Sequence, residues 1–564
     1  MKQVNLRIYR MILPLLVGLF LSVGVYAQNI TVRGHIKDAT GLEVIGANVV
    51  EKGNSANGTI TDLDGNFTLS VPKGATLVVS FIGYKTAEIA AAPTVMLTLQ
   101  DDSELLSEVV VIGYGSVKKN DLTGSVTAIK AEEINRGAIT SPDQMLQGKV
   151  PGLLVTPASG DPTGSATIRI RGAASLTASN DPLIVIDGIP VAGNGAGMAN
   201  PLSTVNPNDI ESYTVLKDAS ATAIYGSRAS NGVVLVTTKK GKAGKVEISY
   251  DFMYGVQQPT SLPKIADSWV YAELYNEAAV NSGRAAKFTP EQIAQFRNGG
   301  PNVNWVKELY HRNSPQSSHN VSMTGGNDQL SYMASLGYMD QNSMFKGPDY
   351  GYKRYNARLN VSHKVTNNFT LNLTSQFARN DIKEHAYWTE WIIEQANRMP
   401  PIYPIKNEDG SYNYPTGSNS NGLQRLEEGG YRQNVNDELL GTIQAEWEVY
   451  KGLKLIGSAG GRVWNNNLHE NRKAFEGTGD SENKLTEQFY RSKNITTNLM
   501  VTYNTKIGKH SIGGLLGYAY EGFSEKQFST SRLTEDSKYD IFVGDLSGDK
   551  VSNGGSASDW AIYS

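Results

Sequence analysis

The residues of this 564-residue chain whose spacing most suggests chemistry are the acidic run Asp62-x-Asp64-x-Asn66. Oxygen ligands at alternate positions open a calcium-binding loop, and such a loop ends with a bidentate Glu at its twelfth position. Here that position holds Lys73. We therefore interpret the run as a turn before a strand, with a calcium loop as the alternative.

Other metal-binding and catalytic patterns are weak or missing from the sequence. The seven His are scattered, and the two that adjoin a glutamate, His385 and His469, are expected in solvated loops rather than at a metal. The chain has no Cys, which excludes cysteine catalysis, thiolate metal sites and disulfides. It contains no phosphate loop, no HExxH and no G-x-S-x-G motif. We expect neither an enzyme nor a cofactor.

Two short stretches are suited to binding through a β-strand. In Ile168-Arg169-Ile170-Arg171 the alternation places both arginines on one face of a strand. Structural ion pairs are expected there, and substrate binding is the alternative. After a linker that contains the acidic residues Asp101, Asp102, Glu104 and Glu108, the run Val109 to Ile112 could add as an edge strand to a partner's sheet. An ordinary internal strand is the alternative.

The beginning of the chain is typical of a secretory signal. A basic start precedes an apolar stretch at 11–25, and Val25-Tyr26-Ala27 has the small residues of a cleavage site. The apolar stretch, roughly 15 residues long, is shorter than the ~20 residues of a membrane helix, which disfavours an uncleaved anchor. We therefore expect export, with Gln28 as the first mature residue.

The composition points to a β-rich exported protein. Hydrophobic residues make up 40% and the mean hydropathy is −0.33, which excludes a protein of many membrane helices. The 57 Gly and 28 Tyr suit turns and aromatic-rich strands. A net charge of −3 argues against a nucleic-acid partner. Only helices and closed barrels satisfy every backbone polar group in lipid, so membrane insertion would require a β-barrel.

The predicted fold is mainly β and has five parts. We predict a signal peptide at 1–27, a small β-sandwich at 28–100, a linker at 101–116, an α+β domain at 117–243 and barrel strands at 244–564. The sandwich is predicted from several short strands separated by regular turns.

Residues 244–564 carry the alternation of a membrane barrel, whose apolar side chains point outward at every second position. Nine stretches show it to differing degrees: 245–257, 318–325, 329–339, 353–365, 369–377, 439–450, 453–463, 494–506 and 510–520. Short turns alternate with long loops at roughly 258–317, 340–352, 380–437 and 464–493, as in barrels with short periplasmic turns and long external loops. The first long loop is expected to hold a helix over 269–280. Because a plugged barrel has about 22 strands, we expect the chain to be the N-terminal part of a longer protein.

The segment VLKDASATAIYGSRASNGVVLVTT, residues 215–238, closely resembles the end of the plug domain in SusC/RagA-type TonB-dependent outer-membrane transporters. DPLIVIDGIP, residues 181–190, resembles an earlier part of that plug, and the sandwich resembles a carboxypeptidase regulatory-like domain. The resemblance implies these plug motif residues: Arg169, Arg171, Gly172, Asp187, Gly188, Lys217, Asp218, Tyr225, Gly226, Arg228 and Gly232. It implies these residues for the contact with TonB: Glu108, Val109, Val110, Val111 and Ile112. Arg169 and Arg171 would then meet acidic residues of the barrel wall.

The resemblance implies active import across the outer membrane. TonB, with ExbB and ExbD, would pull on the segment before the plug, and a SusD-like surface lipoprotein would help to capture an oligosaccharide. Sugar rings could stack on loop aromatics, or these could be interfacial or lid residues: Tyr387, Trp388, Trp391, Tyr403 and Trp464.

Several alternatives stay open at this point. A peptide importer of the same family is the first, and a siderophore or vitamin importer is less favoured because of the leading domain. Outside transport, a secreted β-rich adhesin or a surface glycan enzyme would explain the signal and the strands. No pair of catalytic carboxylates can be nominated for such an enzyme.

Overall fold

The structure is a computed structural model. It describes residues 29–38, 41–81, 84–100, 109–112, 115–118, 126–130, 133, 141–157, 166–172, 180–191, 201–218, 222–414, 421–475, 483–508, 510–534, 540–541 and 551–563. The expected signal peptide, residues 1–27, lies outside these ranges. No helix within them is long and apolar enough to cross a bilayer.

The first part of the chain is the expected sandwich of two small sheets. Its strands are β1 (Asn29–Asp38), β2 (Asn48–Glu51), β3 (Asn54–Ile60), β4 (Asn66–Pro72), β5 (Thr76–Ser80), β6 (Ala87–Ala90) and β7 (Thr94–Leu99). One sheet has the order β4-β1-β7 and the other β3-β2-β5-β6. Alternate apolar side chains such as Val32, Val49 and Leu77 are fully buried in the shared core.

The acidic run of this sandwich forms a turn before β4. The Asp62 carboxylate accepts hydrogen bonds from the backbone N–H groups of Asp64 at 3.0 Å and Asn66 at 2.8 Å. An aspartate that bonds its own following backbone in this way stabilises a tight turn. The geometry therefore matches the turn interpretation of the run.

The region expected to form the plug contains two sheets. Its strands are β10 (Val126–Lys130), β11 (Leu153–Pro157), β12 (Ala166–Ile170), β13 (Leu183–Ile186), β14 (Ile189–Val191), β15 (Ile210–Leu216) and β16 (Val233–Thr238), and they follow β8 (Val109–Ile112) and β9 (Gly115–Lys118). The larger sheet has the order β10-β15-β16-β13-β14, and β11 pairs with β12. β13 and β16 are parallel. Leu183–Ile186 and residues 233–236 are continuous apolar runs, because both faces of this sheet are covered.

A ten-stranded antiparallel sheet follows, with every strand paired to the next in sequence. Its strands are β17 (Gly244–Gln257), β18 (Ser314–Gly326), β19 (Leu330–Asn342), β20 (Gly351–Thr366), β21 (Phe369–His385), β22 (Gly430–Tyr450), β23 (Leu453–Arg472), β24 (Asn483–Ile507), β25 (His510–Thr534) and β26 (Val551–Tyr563). We call this sheet the barrel wall. The connections hold helices α1 (Ser268–Asn281), α2 (Pro290–Arg297), α3 (Thr389–Arg398) and α4 (Gly422–Glu428).

The two faces of the barrel wall differ in what they contact. From Tyr490 to Val501 on β24, even-numbered residues are buried, whereas nearly all odd-numbered ones are exposed. The outward residues include Ile495 and Leu499, each 56% exposed. Inward side chains pack on the plug, so the wall curves around the plug and presents an apolar face to its surroundings, as in a membrane barrel.

Two strand predictions need correction. The nine predicted strands do not include β26, because its sequence VSNGGSASDWAIY lacks an apolar row at every second position. In the structure β26 pairs with β25. The expected loops at 380–437 and 464–493 are shorter than predicted, since β21 reaches His385 and β23 reaches Arg472. The apolar alternation on which the predictions rested does not extend into these polar strand ends.

Candidate functional site

A two-residue turn places the first acid of the site. Asp187 and Gly188 join β13 to β14 with φ values of 47° and 86°, which suit the type I′ turn favoured by Asp-Gly. The Asp187 carboxylate accepts from Thr238, at 3.0 Å from its backbone N–H and 2.7 Å from its hydroxyl. The turn thus holds the carboxylate at the end of β16.

The barrel wall supplies the matching cation from β20. The Arg358 side chain is 1% exposed. It donates to the Asp187 carboxylate at 2.8 Å, to the Thr238 hydroxyl at 2.8 Å and to the Gln376 side-chain carbonyl. A buried guanidinium requires such partners, because removing one leaves an uncompensated charge. This ion pair therefore ties a turn of the plug to the wall.

A second plug acid lies beside the same arginine. The Asp209 carboxylate is 3.8 Å from Arg358 Nε and accepts a hydrogen bond from Ser335 at 2.8 Å. Burial raises the pKa of Asp209, an effect that Arg358 and Ser335 oppose. Asp187 and Asp209 thus share one buried guanidinium. The net charge of these three side chains depends on whether Asp209 is protonated.

Residues 201–209, which we call the seam segment, carry most of the remaining contacts with the wall. The backbone carbonyl of Thr204 accepts from Asn356 at 2.7 Å and from Gln376 at 3.2 Å. The Thr204 hydroxyl donates to Glu438 on β22 at 2.7 Å. Asn206 donates to Asn320 on β18 at 2.6 Å. Together with the bond between Asp209 and Ser335 on β19, these contacts attach the seam segment to five strands of the wall, β18 to β22.

Another attachment involves β24 and β25. Arg228 of the plug forms an ion pair with Glu521, whose side chain is 6% exposed. Asn494 donates to Glu521 at 3.0 Å and to the backbone carbonyl of Pro190 at 3.1 Å. Arg228, a predicted plug motif residue, therefore belongs to the interface with the wall.

The arginine pair of β12 is placed differently from the prediction. Arg169 forms an ion pair with Asp181, and Arg171 lies 2.5 Å from Asp218. Both acids belong to the plug, so the expected pairing with acids of the barrel wall is wrong. β12 pairs with β11 inside the plug, and the cations that join plug and wall in the described residues include Arg228, Arg354 and Arg358.

The other predicted motif residues shape the plug itself. Lys217 donates to the backbone carbonyl of Pro151 at 2.7 Å, and Tyr225 is buried in a core cluster. Gly226 and Gly232 have φ values of 63° and 89°, as expected for chain reversals that require positive φ. Gly172, beside Arg171, also has a positive φ of 98°.

The predicted TonB-contact residues lie before the plug. Val109–Ile112 forms a strand in a two-stranded sheet with Gly115–Lys118. Glu108 lies outside the described residues. Among the strands that the structure describes it pairs only with Gly115–Lys118, which is compatible with strand addition by a partner at its other edge.

Sequence reasoning missed the seam segment and Arg358. Leu202 and Val205 are fully buried, and their spacing in LSTV was a signal of a packed turn rather than an open loop. Asn206-Pro207 was a second signal, since the Asn206 side chain accepts from the backbone N–H of Asn208 at 3.1 Å and begins a short 3₁₀ helix. No comparable signal distinguished Arg358 from the other charged residues of the strands.

The comparison with known proteins agrees with this geometry. The family model described as TonB-dependent Receptor Plug Domain matches residues 118–233, and that described as CarboxypepD_reg-like domain matches residues 32–111. The chain is 42% identical over 451 residues to TonB-dependent receptor SusC of Bacteroides thetaiotaomicron, and the matched stretch covers 79% of this chain and 42% of that receptor. It is 38% identical over 381 residues to TonB-dependent receptor P26 of Formosa agariphila, and that match covers 66% of this chain and 36% of the receptor.

Solved structures show the same architecture. The RagAB peptide importer in its 'open-open' state matches with a TM-score of 0.69 at 25% identity, over 81% of this chain and 54% of that one. Its 'closed-closed' state matches with a TM-score of 0.67 at 25% identity, over 78% and 52%. The chain therefore spans roughly half, or less, of the length of these relatives.

Proposed function

Because the chain belongs to the SusC/RagA-type TonB-dependent receptors, whose family is one of transporters rather than enzymes, we propose that the whole protein imports an oligosaccharide across the outer membrane. A SusD-like surface lipoprotein would capture the substrate with it. TonB, with ExbB and ExbD, would supply the force. The observation that carries this proposal is the attachment of the plug to the barrel wall through the seam segment, Asp187 and Arg228.

These attachments suit a gate that opens under an external pull. They are hydrogen bonds and ion pairs between separate elements, which can break and re-form without unfolding the barrel wall. Such a gate has two arrangements, and a partner that binds one of them shifts the population. We infer that TonB contacts Glu108 to Ile112 by strand addition, because this short β-prone run precedes the plug.

An exposed aromatic side chain on one of the long loops, which we expect to be external, supports an oligosaccharide substrate. Trp388, between β21 and α3, is 81% exposed, and a free indole face can stack on a sugar ring. The other aromatics named from the sequence are engaged. Arg425 lies over Tyr387 and Trp391, Tyr403 packs on the loop core, and Trp464 is buried beside Tyr490. Trp388 is thus the favoured sugar contact among the five.

A peptide substrate is the second candidate. It is favoured by the likeness to the RagAB peptide importer. The two classes are separated by binding measurements on the whole receptor with its lipoprotein, using oligosaccharides and mixed peptides as probes. Trp388→Ala should weaken binding of the oligosaccharide and leave peptide binding unchanged if the first candidate is right.

A reversible cross-link tests the gate. A Cβ at Gly337 on β19 would lie 3.5 Å from Asn206 Cγ of the seam segment, near the geometry of a disulfide. Asn206→Cys with Gly337→Cys introduces one pair of Cys into these 564 residues, which have no other. Oxidation should abolish import and reduction should restore it, while each single variant should ignore the oxidant. Undiminished import by the oxidised double variant would contradict a moving plug.

A further inference from the structure

Three cations form a cluster on the outside of the barrel wall. Arg491 and Lys493 lie on β24, and Lys526 lies on β25 directly opposite Arg491 in the strand register. Paired residues across strands are about 5 Å apart at Cβ, and alternate residues of a strand are about 7 Å apart. All three side chains are exposed, and within the described ranges none has a hydrogen-bond or ion-pair partner.

The alternation of β24 shows that this cluster faces away from the plug. Ser492 and Asn494, which alternate with the cations, are 2% and 5% exposed. Asn494 contacts the plug through Pro190. Arg491 and Lys493 therefore project from the opposite face of the sheet, where substrate and plug do not reach.

Apolar side chains border the cluster on both sides along the strands. Toward the short turns, Ile495 and Leu499 belong to the exposed apolar row. Toward the long loops, Phe489 lies directly opposite Phe528, which is 50% exposed. The outward face thus presents an aliphatic layer, a cationic layer and an aromatic layer in that order.

Neighbouring acids do not neutralise the cations. On the outward face, Asp437 forms an ion pair with Arg379, and Glu487 is bonded to His469. Both acids are engaged elsewhere, so the three adjacent cations give this part of the described face a positive charge.

We propose that this cluster binds the headgroup of a phosphorylated glycolipid of the outer leaflet. Arginine and lysine donate charge-assisted hydrogen bonds to phosphate oxygens, and clusters of them at a membrane surface recognise anionic lipids. The acyl chains lie along Ile495 and Leu499, and the sugar ring packs on Phe489 and Phe528. The inference rests on the proposed outer-membrane location and not on the imported substrate.

Binding of a bisphosphorylated diglucosamine glycolipid (lipid A) to the full-length receptor in detergent tests this site. Arg491→Gln with Lys493→Gln and Lys526→Gln should weaken binding roughly 100-fold, since each cation contributes about a fivefold factor. The matched control changes the same charge at three exposed lysines elsewhere, with Lys264→Gln, Lys307→Gln and Lys451→Gln. It should bind as the unmodified receptor does. Equal affinities of the two triple variants would overturn the proposal.

Two further arms identify the ligand. Dephosphorylated lipid A and phosphatidylglycerol should each bind at least tenfold more weakly than lipid A, and Phe489→Ala with Phe528→Ala should reduce the preference for the glycolipid. Equal binding of phosphatidylglycerol would overturn the assignment to a glycolipid. Heat-modifiable gel migration checks that every variant is folded. An import assay reports separately on the proposed function, because loss of lipid binding with normal import leaves that function intact.

Discussion

Arg358 of the barrel wall and Asp187 of the plug are 171 residues apart in sequence, yet their side chains are joined by a 2.8 Å hydrogen bond. Both are almost completely withdrawn from solvent, with side-chain exposures of 1% and 10%. A pair of this kind stabilises less through its attraction than through the cost of separating it, because either charge left alone is strongly unfavourable. It therefore suits a contact that holds the plug until a large force acts.

Arg358→Gln should weaken the attachment of the plug to the barrel wall by about 3–5 kcal/mol, because Asp187 loses its buried cation. Protease cleavage of the plug in the purified receptor reports this change. Arg379→Gln is the matched control, since Arg379 pairs with Asp437 at an exposure of 49% and should cost less than about 1 kcal/mol. The double variant Arg358→Gln with Asp187→Asn should be less destabilised than the sum of its parts. Additive effects would mean that the pair is not coupled.

Asp209→Asn should change how the stability of the plug attached to the barrel wall depends on pH. Burial raises the pKa of Asp209 in the folded protein. The contribution of Asp209 to the stability of the folded state is therefore fully present at pH values below the ordinary Asp pKa of about 3.9. It is lost as the pH rises through the pKa of Asp209 in the folded protein. The variant, which resembles the protonated acid, should match the unmodified receptor near pH 4 and become relatively more stable at higher pH. Denaturant unfolding between pH 4 and 8 measures the difference, and a constant difference across that range would refute this assignment.

Gly232→Ala should destabilise the plug more than Gly172→Ala. Both glycines have positive φ, 89° and 98°, so both variants carry a backbone penalty of about 1–2 kcal/mol. A Cβ at Gly232 would also lie 2.7 Å from Ile170 Cδ1 and 3.0 Å from the Leu216 carbonyl, whereas nothing lies within 4 Å at Gly172. Thermal unfolding of the two variants separates these effects. Equal melting temperatures would mean that the plug relaxes around the added methyl group.

Val110→Pro should abolish import while leaving substrate binding at the cell surface intact. Proline removes a backbone N–H from this short strand and is disfavoured within a sheet, so it opposes strand addition. Val110→Ala keeps that donor and should retain most of the import. Uptake by whole cells and surface binding by cells without energy distinguish the two steps. Normal uptake by the proline variant would place the TonB contact elsewhere.

The sequence was informative wherever one element faced two different environments. The barrel wall has an exposed apolar face on one side and the plug on the other, and the apolar alternation follows from this difference, so nine of the ten strands of the wall could be predicted. No such signal marks β26 or the C-terminal ends of β21 and β23, where the sequence carries no unbroken apolar row at every second position. Local backbone chemistry was readable too, as in the Asp187-Gly188 turn and the positive φ of Gly226 and Gly232.

The partners of charged residues were decided by tertiary structure alone. Alternation correctly placed Arg169 and Arg171 on a strand, but their acids proved to be Asp181 and Asp218 of the same domain. Periodicity reports which face of a strand a residue occupies, whereas an ion pair depends on which distant strand the fold brings opposite that face. Arg358 meets Asp187 only because the barrel wall curves around the plug, and that curvature arises from the pairing of many strands rather than from any one segment.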